Sequence, residues 1–252
     1  RERLVGVLVN RLRVREALRR DPSWAERALP APVVITGLQR TGTTLLHRLL
    51  AADPRRRWLA SWEALAPAPP LEGPDRRVQA AERAERALRY LAPDFFAVHP
   101  VRARGPEEDV LLLDFALRST VPEATLRVPS YSRWLEGADP RPAYRAMKTL
   151  LRLLSAQRQP KARWLLKTPH HLEWLDVLLE VFPGAKIVWT HRDPRIAVPS
   201  FCSMVAHGRG VFSDAVDPVE IGREWTRKNA RLVARAMATR DRAAAGTFFD
   251  LA

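Results

Sequence analysis

Val33-Val34-Ile35-Thr36-Gly37-Leu38-Gln39-Arg40-Thr41-Gly42-Thr43-Thr44 is the stretch on which the reading of this chain turns. A short apolar run passes straight into Gly37, a second glycine follows at Gly42, and the helical pattern beyond it is stopped by Asp53-Pro54. A glycine-rich turn between a strand and a helix aims backbone N–H groups at an anion, because the first helical turn leaves its donors without intrahelical partners. The glycine spacing is that of the phosphate loop G-x-x-x-x-G-K-[ST]. Thr43 stands where that pattern has lysine, and Arg40 sits inside the loop instead. The cation that reaches the terminal phosphates of a triphosphate is thus absent from its usual place. The strand ending at Thr190 runs into His191-Arg192-Asp193, cation first, with no acid placed to hold magnesium. A shorter phosphate chain bound without a metal fits this loop better.

Outward from the loop, strand and helix signals alternate. Arg57 to Trp62 reads as a second strand ending at Glu63, Arg163 to Leu166 as a third, and Lys186 to Thr190 as a fourth. Helices are expected over 169–181, 194–204 and 217–239, and a β-type run closes the chain at 247–252. Such alternation predicts an α/β fold, a P-loop-like parallel sheet flanked by helices on both faces. The middle third reads as helices over 75–90, 107–118 and 142–157, a helical cap inserted over about 75–157 in what is otherwise one domain spanning 1–252. Leu4, Val7, Leu8, Leu12 and Leu18 recur at helical spacing among arginines, which predicts an amphipathic helix packed on the core.

Composition bounds the function classes. With 252 residues and 46% hydrophobic side chains, the chain can bury a substantial core, which excludes a disordered or fibrous protein. No run of eighteen apolar residues and no secretory pattern is present, so a cytoplasmic location without a membrane span is expected. The one cysteine, Cys202, cannot form a disulfide within the chain. The formal charge is +14, and all but five of the 42 cationic side chains are arginine, which suits an anionic partner. Nucleic-acid binding is an alternative raised by charge alone, and no helix-turn-helix, finger or RNA-recognition signature accompanies it. A small-molecule kinase is the other alternative, against which Thr43 speaks. The start at Arg1 and the stop inside a β-type run read as a fragment of a longer chain.

The strand 186–190 delivers Arg192 at its carboxyl end, and the helix after it presents Ser200. Ligands of open α/β sheets bind beyond the carboxyl ends of the strands, so Arg192 and Gly37 are expected to face one crevice. An arginine with a hydroxyl beside it can hold a second phosphate.

At this point the residues resemble a known family, the P-loop-like sulfotransferases that use 3'-phosphoadenosine-5'-phosphosulfate. Val34 to Thr44 is similar to their 5'-phosphosulfate loop, and Val188-Trp189-Thr190-His191-Arg192-Asp193-Pro194 through Ser200 to their 3'-phosphate site. Similarity to a bacterial branch extends over Trp62-Glu63, His99-Pro100, Pro106-Glu107-Glu108-Asp109, Tyr131 to Leu135 and Trp164 to Leu172. The resemblance implies transfer of a sulfuryl group to a hydroxyl on a small-molecule, lipid or carrier-bound acceptor. It implies donor binding by Gln39, Arg40, Thr41, Gly42, Thr43, Thr44, Arg192 and Ser200, with neither metal nor nucleic acid involved. Two departures stand out. Leu45 and Leu46 replace the aromatic that stacks on adenine in cytosolic members, and the family's segment beyond the last strand is missing.

In-line transfer to an alcohol needs positive groups on the sulfonate and departing phosphate, and a base for the hydroxyl proton. Arg40 and Lys167 are the expected cations. Glu63 is the leading candidate for the base, on its similarity in position to the catalytic glutamate of tyrosylprotein sulfotransferases. His170 and His171 are its rivals, because cytosolic members carry a base histidine shortly after the equivalent of Lys167. Thr168 as N-cap and Pro169 as first helical residue place both imidazoles in a first turn that favours their neutral form. His99 and the Glu107-Glu108-Asp109 run are expected to line the acceptor pocket or open a helix. The acceptor and the oligomeric state are not encoded in any pattern we can read.

Overall fold

The computed structural model describes residues 2–158 and 162–252. Five strands, β1 (Val33–Gly37), β2 (Arg56–Trp58), β3 (Arg163–Lys167), β4 (Lys186–Thr190) and β5 (Phe248–Leu251), form one parallel sheet in the order β2-β3-β1-β4-β5. β1 is central because it can be buried on both sides: Val34 and Ile35 expose no surface. Val34 is level with Leu166 on β3 and Ile187 on β4, so these three side chains share one face. There they meet Met147 and Leu151 of the helix Arg141–Gln157, Leu178 of the helix Leu175–Val181 and Leu232 of the helix Pro218–Arg240 in a single core. Period-two alternation turns Ile35 and its register partner Lys167 to the opposite face, which the helix Thr43–Ala51 covers.

The middle third is helical, as its pattern predicted, but in shorter pieces. Arg77–Leu91, Pro93–Val98, Val110–Asp114, Val121–Thr125 and Pro129–Gly137 precede Arg141–Gln157. That last helix belongs to the sheet core, with Tyr144, Met147, Leu151 and Leu154 wholly buried. The segment 169–181 begins as a 3-10 turn, Pro169–Trp174, before becoming α-helical.

At β2 the expectation is corrected. The strand ends at Trp58, and Ser61–Leu65 is a short helix, so Glu63 lies on a helix and not at a strand end. The cause is a buried ion pair. Arg57 and Glu63 are both sealed from solvent and paired with each other, and Arg57 also donates to the Trp58 carbonyl and lies over the Trp164 ring at 4.3 Å. Glu63 additionally accepts from the Ala60 N–H at 3.0 Å and from Arg158 at 3.2 Å, which closes the turn that ends the strand.

The amino-terminal helix Glu2–Arg20 is also turned differently from the expectation. Val14, Ala17 and Leu18 pack toward Leu153 and Trp24, whereas Leu4, Leu8 and Leu12 remain at least half exposed. Helical spacing identifies an apolar stripe but not what the stripe meets.

Removing one member of a buried pair strands the other charge, at a cost of roughly 3–5 kcal/mol. Arg57→Met is therefore expected to lower unfolding free energy by about that amount in urea titration. A loss below ~1 kcal/mol would mean that the pair does not hold the β2 turn.

Candidate functional site

The phosphate loop is built by contacts between the carboxyl ends of β1 and β4, where Gly37 is level with Thr190. A Cβ at Gly37 would lie 2.3 Å from the Thr190 hydroxyl and 2.6 Å from its carbonyl oxygen. The Thr41 hydroxyl donates to the Leu38 carbonyl at 2.6 Å and meets the Thr190 hydroxyl at 2.7 Å. Thr41 thus shapes the loop from inside. Arg40 adopts a left-handed φ of 68°, and Gly42 one of 86° with open space beside it. No side chain caps the helix Thr43–Ala51, whose first turn closes with the Leu46 N–H on the Gly42 carbonyl. The N–H groups just before Leu46 therefore have no intrahelical acceptor and point out of the helix end.

Arg192 donates to the Arg40 carbonyl at 3.0 Å, and the Arg40 guanidinium donates to the Ser200 hydroxyl at 3.2 Å. The loop and the segment after β4, expected from sequence to face one crevice, are brought together. A cavity of about 280 Å³ between them is lined by Gln39, Arg40, Gly42, Thr43, Thr44, Glu108 and Arg192, among others.

Lys167 reaches this crevice from the end of β3. Its ammonium donates to Glu108 at 2.6 Å and to the Thr44 hydroxyl at 3.3 Å, which leaves one of its three N–H donors. Burial pushes the Glu108 carboxyl up, but Lys167, His99 and the Thr168 hydroxyl together outweigh it and hold it below the ordinary value. Thr168 also donates to Glu108, at 3.0 Å. Glu108 and His99 line the loop cavity, a neighbouring cavity of about 570 Å³ beside Arg48 and Arg102, and a third of about 350 Å³. The third is walled largely by apolar side chains, including Phe95, Val121, Phe201, Val205 and Trp225. Glu108 and His99 therefore stand at the junction of polar and apolar space.

No local pattern in the sequence marks Glu108 for a chemical part. The three consecutive acids in fact diverge: Glu107 accepts from Ser61 at 2.7 Å, Glu108 from Lys167, and Asp109 from His171 at 2.8 Å. Their run at a helix start is locally indistinguishable from a solvated first turn. Only the distant partners separate them.

Of the residues expected to act as base, Glu63 lines none of the three cavities, and its carboxylate is occupied by Arg57, Arg158 and the Ala60 N–H. His171 is likewise enclosed, between Asp109 and the Tyr144 hydroxyl at 2.8 Å each. Burial pushes the Asp109 carboxyl up, but His171 and its other partners hold it below its ordinary value; its Oδ2 accepts from His171 Nε2–H, while its Oδ1 has no hydrogen-bond partner among the described residues. His170 differs from both. It lines the apolar cavity, its Nδ1 has no hydrogen-bond partner, and burial pushes its pKa down to about 3. Among the described residues no group of three or more His, Cys, Asp or Glu could hold a metal ion, and no helix is long and apolar enough to cross a membrane.

Residues 32–252 match the profile of the sulfotransferase family. Omega-hydroxy-beta-dihydromenaquinone-9 sulfotransferase Stf3 of Mycobacterium bovis is 32% identical over 181 residues, covering 67% of this chain and 44% of that protein. The same-named protein of Mycobacterium tuberculosis matches equally. The chain thus spans less than half the length of these curated relatives. Among solved structures, sulfotransferase STF1 of Mycobacterium tuberculosis superposes with a TM-score of 0.81 at 34% identity, over 98% of this chain and 68% of that one. Sulfotransferase STF9 of Mycobacterium avium gives 0.84 at 28% identity, over 98% and 64%.

Two buried imidazoles, His170 in the apolar cavity wall and His47 on the helix Thr43–Ala51, have a consequence for stability. Burial lowers His47 to about 4 and His170 to about 3, from an ordinary 6.5. The unfolded chain therefore binds protons that the folded chain refuses, and stability present above pH ~6.5 is lost as pH falls toward those values. Two such groups are expected to remove roughly 2 kcal/mol between pH 6 and pH 5, a range above the titration of ordinary carboxylates. His47→Gln should halve that slope in denaturation measured at the two pH values. An unchanged slope would show that His47 is protonated in the folded state.

Proposed function

The chain belongs to the sulfotransferase family, and from that premise we propose that it moves a sulfuryl group from 3'-phosphoadenosine-5'-phosphosulfate to the hydroxyl of an acceptor seated in the apolar cavity. One observation carries this reading: Glu108, paired with Lys167, lies where the phosphate-loop cavity opens onto the apolar one.

The residues present fit such a donor. Outward N–H groups at an uncapped helix start, the open side of Gly42, and the Arg40, Lys167 and Arg192 cations make a donor-rich surface. The donor supplies an activated sulfuryl group carried on a phosphate leaving group. Backbone N–H groups of Gly42 to Leu45 would hold its 5'-phosphate, and Arg192 with Ser200 its 3'-phosphate. Lys167 has one donor left for oxygens that gain charge as the bond to the leaving phosphate breaks.

Glu108 is ionised at neutral pH and accepts the hydroxyl proton. Lys167 alone would leave it a weak base, but negative charge arriving beside the pair raises its proton affinity. Donor binding thereby prepares the base. His99, facing the same junction, and the neutral His170 in the apolar wall orient the acceptor hydroxyl.

Two experiments test this. Adenosine 3',5'-bisphosphate is expected to raise the melting temperature without magnesium, and Arg192→Ala to weaken that ligand roughly tenfold or more while adenosine 5'-phosphate changes little. Equal losses for both nucleotides, or stabilisation by Mg-ATP alone, would contradict the assignment. In the second, Glu108→Gln should lower kcat by roughly a hundredfold or more with bisphosphate affinity retained. Glu63→Gln should instead lower thermal stability and leave kcat per folded molecule near that of the parent. The reverse outcome would return the base to Glu63.

A further inference from the structure

The helix Pro194–Gly210 connects the two halves of the crevice. Its first turns carry Ser200 beside Arg40, and farther along Phe201, Met204, Val205 and Gly208 face the apolar cavity at helical spacing. Met204 also lines the phosphate-loop cavity, so it marks the mouth. At ~1.5 Å per residue, Gly208 lies about 6 Å deeper than Met204 and about 12 Å from Ser200.

Gly208 is buried inside a helix with no left-handed φ to require glycine there. Such a glycine costs about 0.5–1 kcal/mol relative to alanine, so the missing side chain calls for another reason. A Cβ at this position would meet the Phe95 ring at 3.4 Å and the Ala124 carbonyl at 3.5 Å, and both residues line the cavity. A larger side chain would press on these two walls and narrow the space they line. Gln39, Glu108 and His99 line both this cavity and the phosphate-loop one, as Met204 does, whereas Thr120, Thr125 and His170 line the apolar cavity alone of these two.

We propose that the cavity takes an alcohol carried on an extended apolar chain, with its hydroxyl at Glu108 and its tail along the Pro194–Gly210 helix, and that Gly208 together with Phe95 sets the chain length accepted. This deepens the sulfuryl-transfer reading above and rests on it for the hydroxyl's fate. The tail's seat is a separate binding question. A sugar or other polyol would set most of its remaining hydroxyls against a largely apolar wall, Phe95, Phe201 and Val205 among it, which opposes entry.

The test uses a series of linear primary alcohols from hexanol to tetradecanol. Binding is measured by calorimetry in the presence of adenosine 3',5'-bisphosphate, and sulfation is measured with the complete donor. Affinity is expected to rise with each added methylene and then stop at one length. Gly208→Val should move that length shorter and raise KM for the longest good substrate roughly tenfold, and Phe95→Ala should move it longer. Melting temperature with and without the bisphosphate reports folding of each variant. If Gly208→Val does not fold, Phe95→Ala alone decides. A length optimum unmoved in the folded variants, or affinity indifferent to chain length, would overturn the proposal even if every alcohol is sulfated. Length-dependent binding that tracks both variants but yields no sulfated product would support the tail site and sink the sulfuryl-transfer reading instead.

Discussion

The approach of β1 to β4 at Gly37 leaves no room for a side chain, since a Cβ there would fall within 2.6 Å of two Thr190 oxygens, and most of the site's geometry descends from that contact. Because the strands can close to this distance, Thr41 bonds across to Thr190 and turns the loop back on itself. The turn forces Arg40 into a left-handed conformation, which costs about 1–2 kcal/mol for a residue with a side chain. Two hydrogen bonds offset it: the Arg40 carbonyl receives Arg192, and its guanidinium reaches Ser200. The loop and the segment after β4 are therefore one unit. Neither segment has its geometry without the other.

The crevice distributes charge in pairs that serve different ends. Arg57 and Glu63 are sealed at 1% exposure or less and line no cavity, so their role is to end β2 and start the next helix. Lys167 and Glu108 form an equally close pair, yet both line cavities and Glu108 keeps about a fifth of its side chain exposed. Buried pairs contribute little net stability compared with apolar replacements. A pair that opens onto solvent-sized space at a strand's carboxyl end is thus better explained by what it can exchange with a ligand. His171, Asp109 and Tyr144 lie just behind it and are closed to ligands, so they fix the 3-10 turn from which His170 projects.

The sheet and the loop were legible in the sequence because both are local. Apolar runs ending at glycine or at a cation mark β1 and β4 within two residues of their observed ends, and Thr168-Pro169 caps the turn it was expected to cap. Failures occurred where a distant partner decides. Arg57 to Trp62 has the composition of a strand, but burial of Arg57 against Glu63 breaks it after Trp58. Leu4, Leu8 and Leu12 have the spacing of an inward face and point outward, since Val14 and Ala17 make the packing contacts. Glu108 was hidden among three adjacent acids, and its part depends on Lys167, which is 59 residues away. His170 and His171 could not be told apart by sequence, because a one-residue step on a tight 3-10 turn sends one to the cavity and the other into the core.

Net charge follows the same division. The total of +14 alone could not choose between nucleic acid and a small anion, but its placement discriminates. Many surface arginines are spent on neighbouring carboxylates, as in the pairs of Glu16, Glu180 and Asp193. By contrast, among the described residues Arg40, Arg48, Arg102 and Arg192 line the crevice without a carboxylate within ion-pair distance. Walls of low polarizability focus the field of such a cluster into the cleft rather than along a groove. Screening over about 10 Å at 0.1 M salt leaves that field intact at the loop while weakening it elsewhere. A compact, multiply charged ligand samples the whole cluster at once, whereas a long polyanion would meet it at a single point. The unpaired part of the excess charge is therefore gathered at one cleft, where a compact anion can meet all of it.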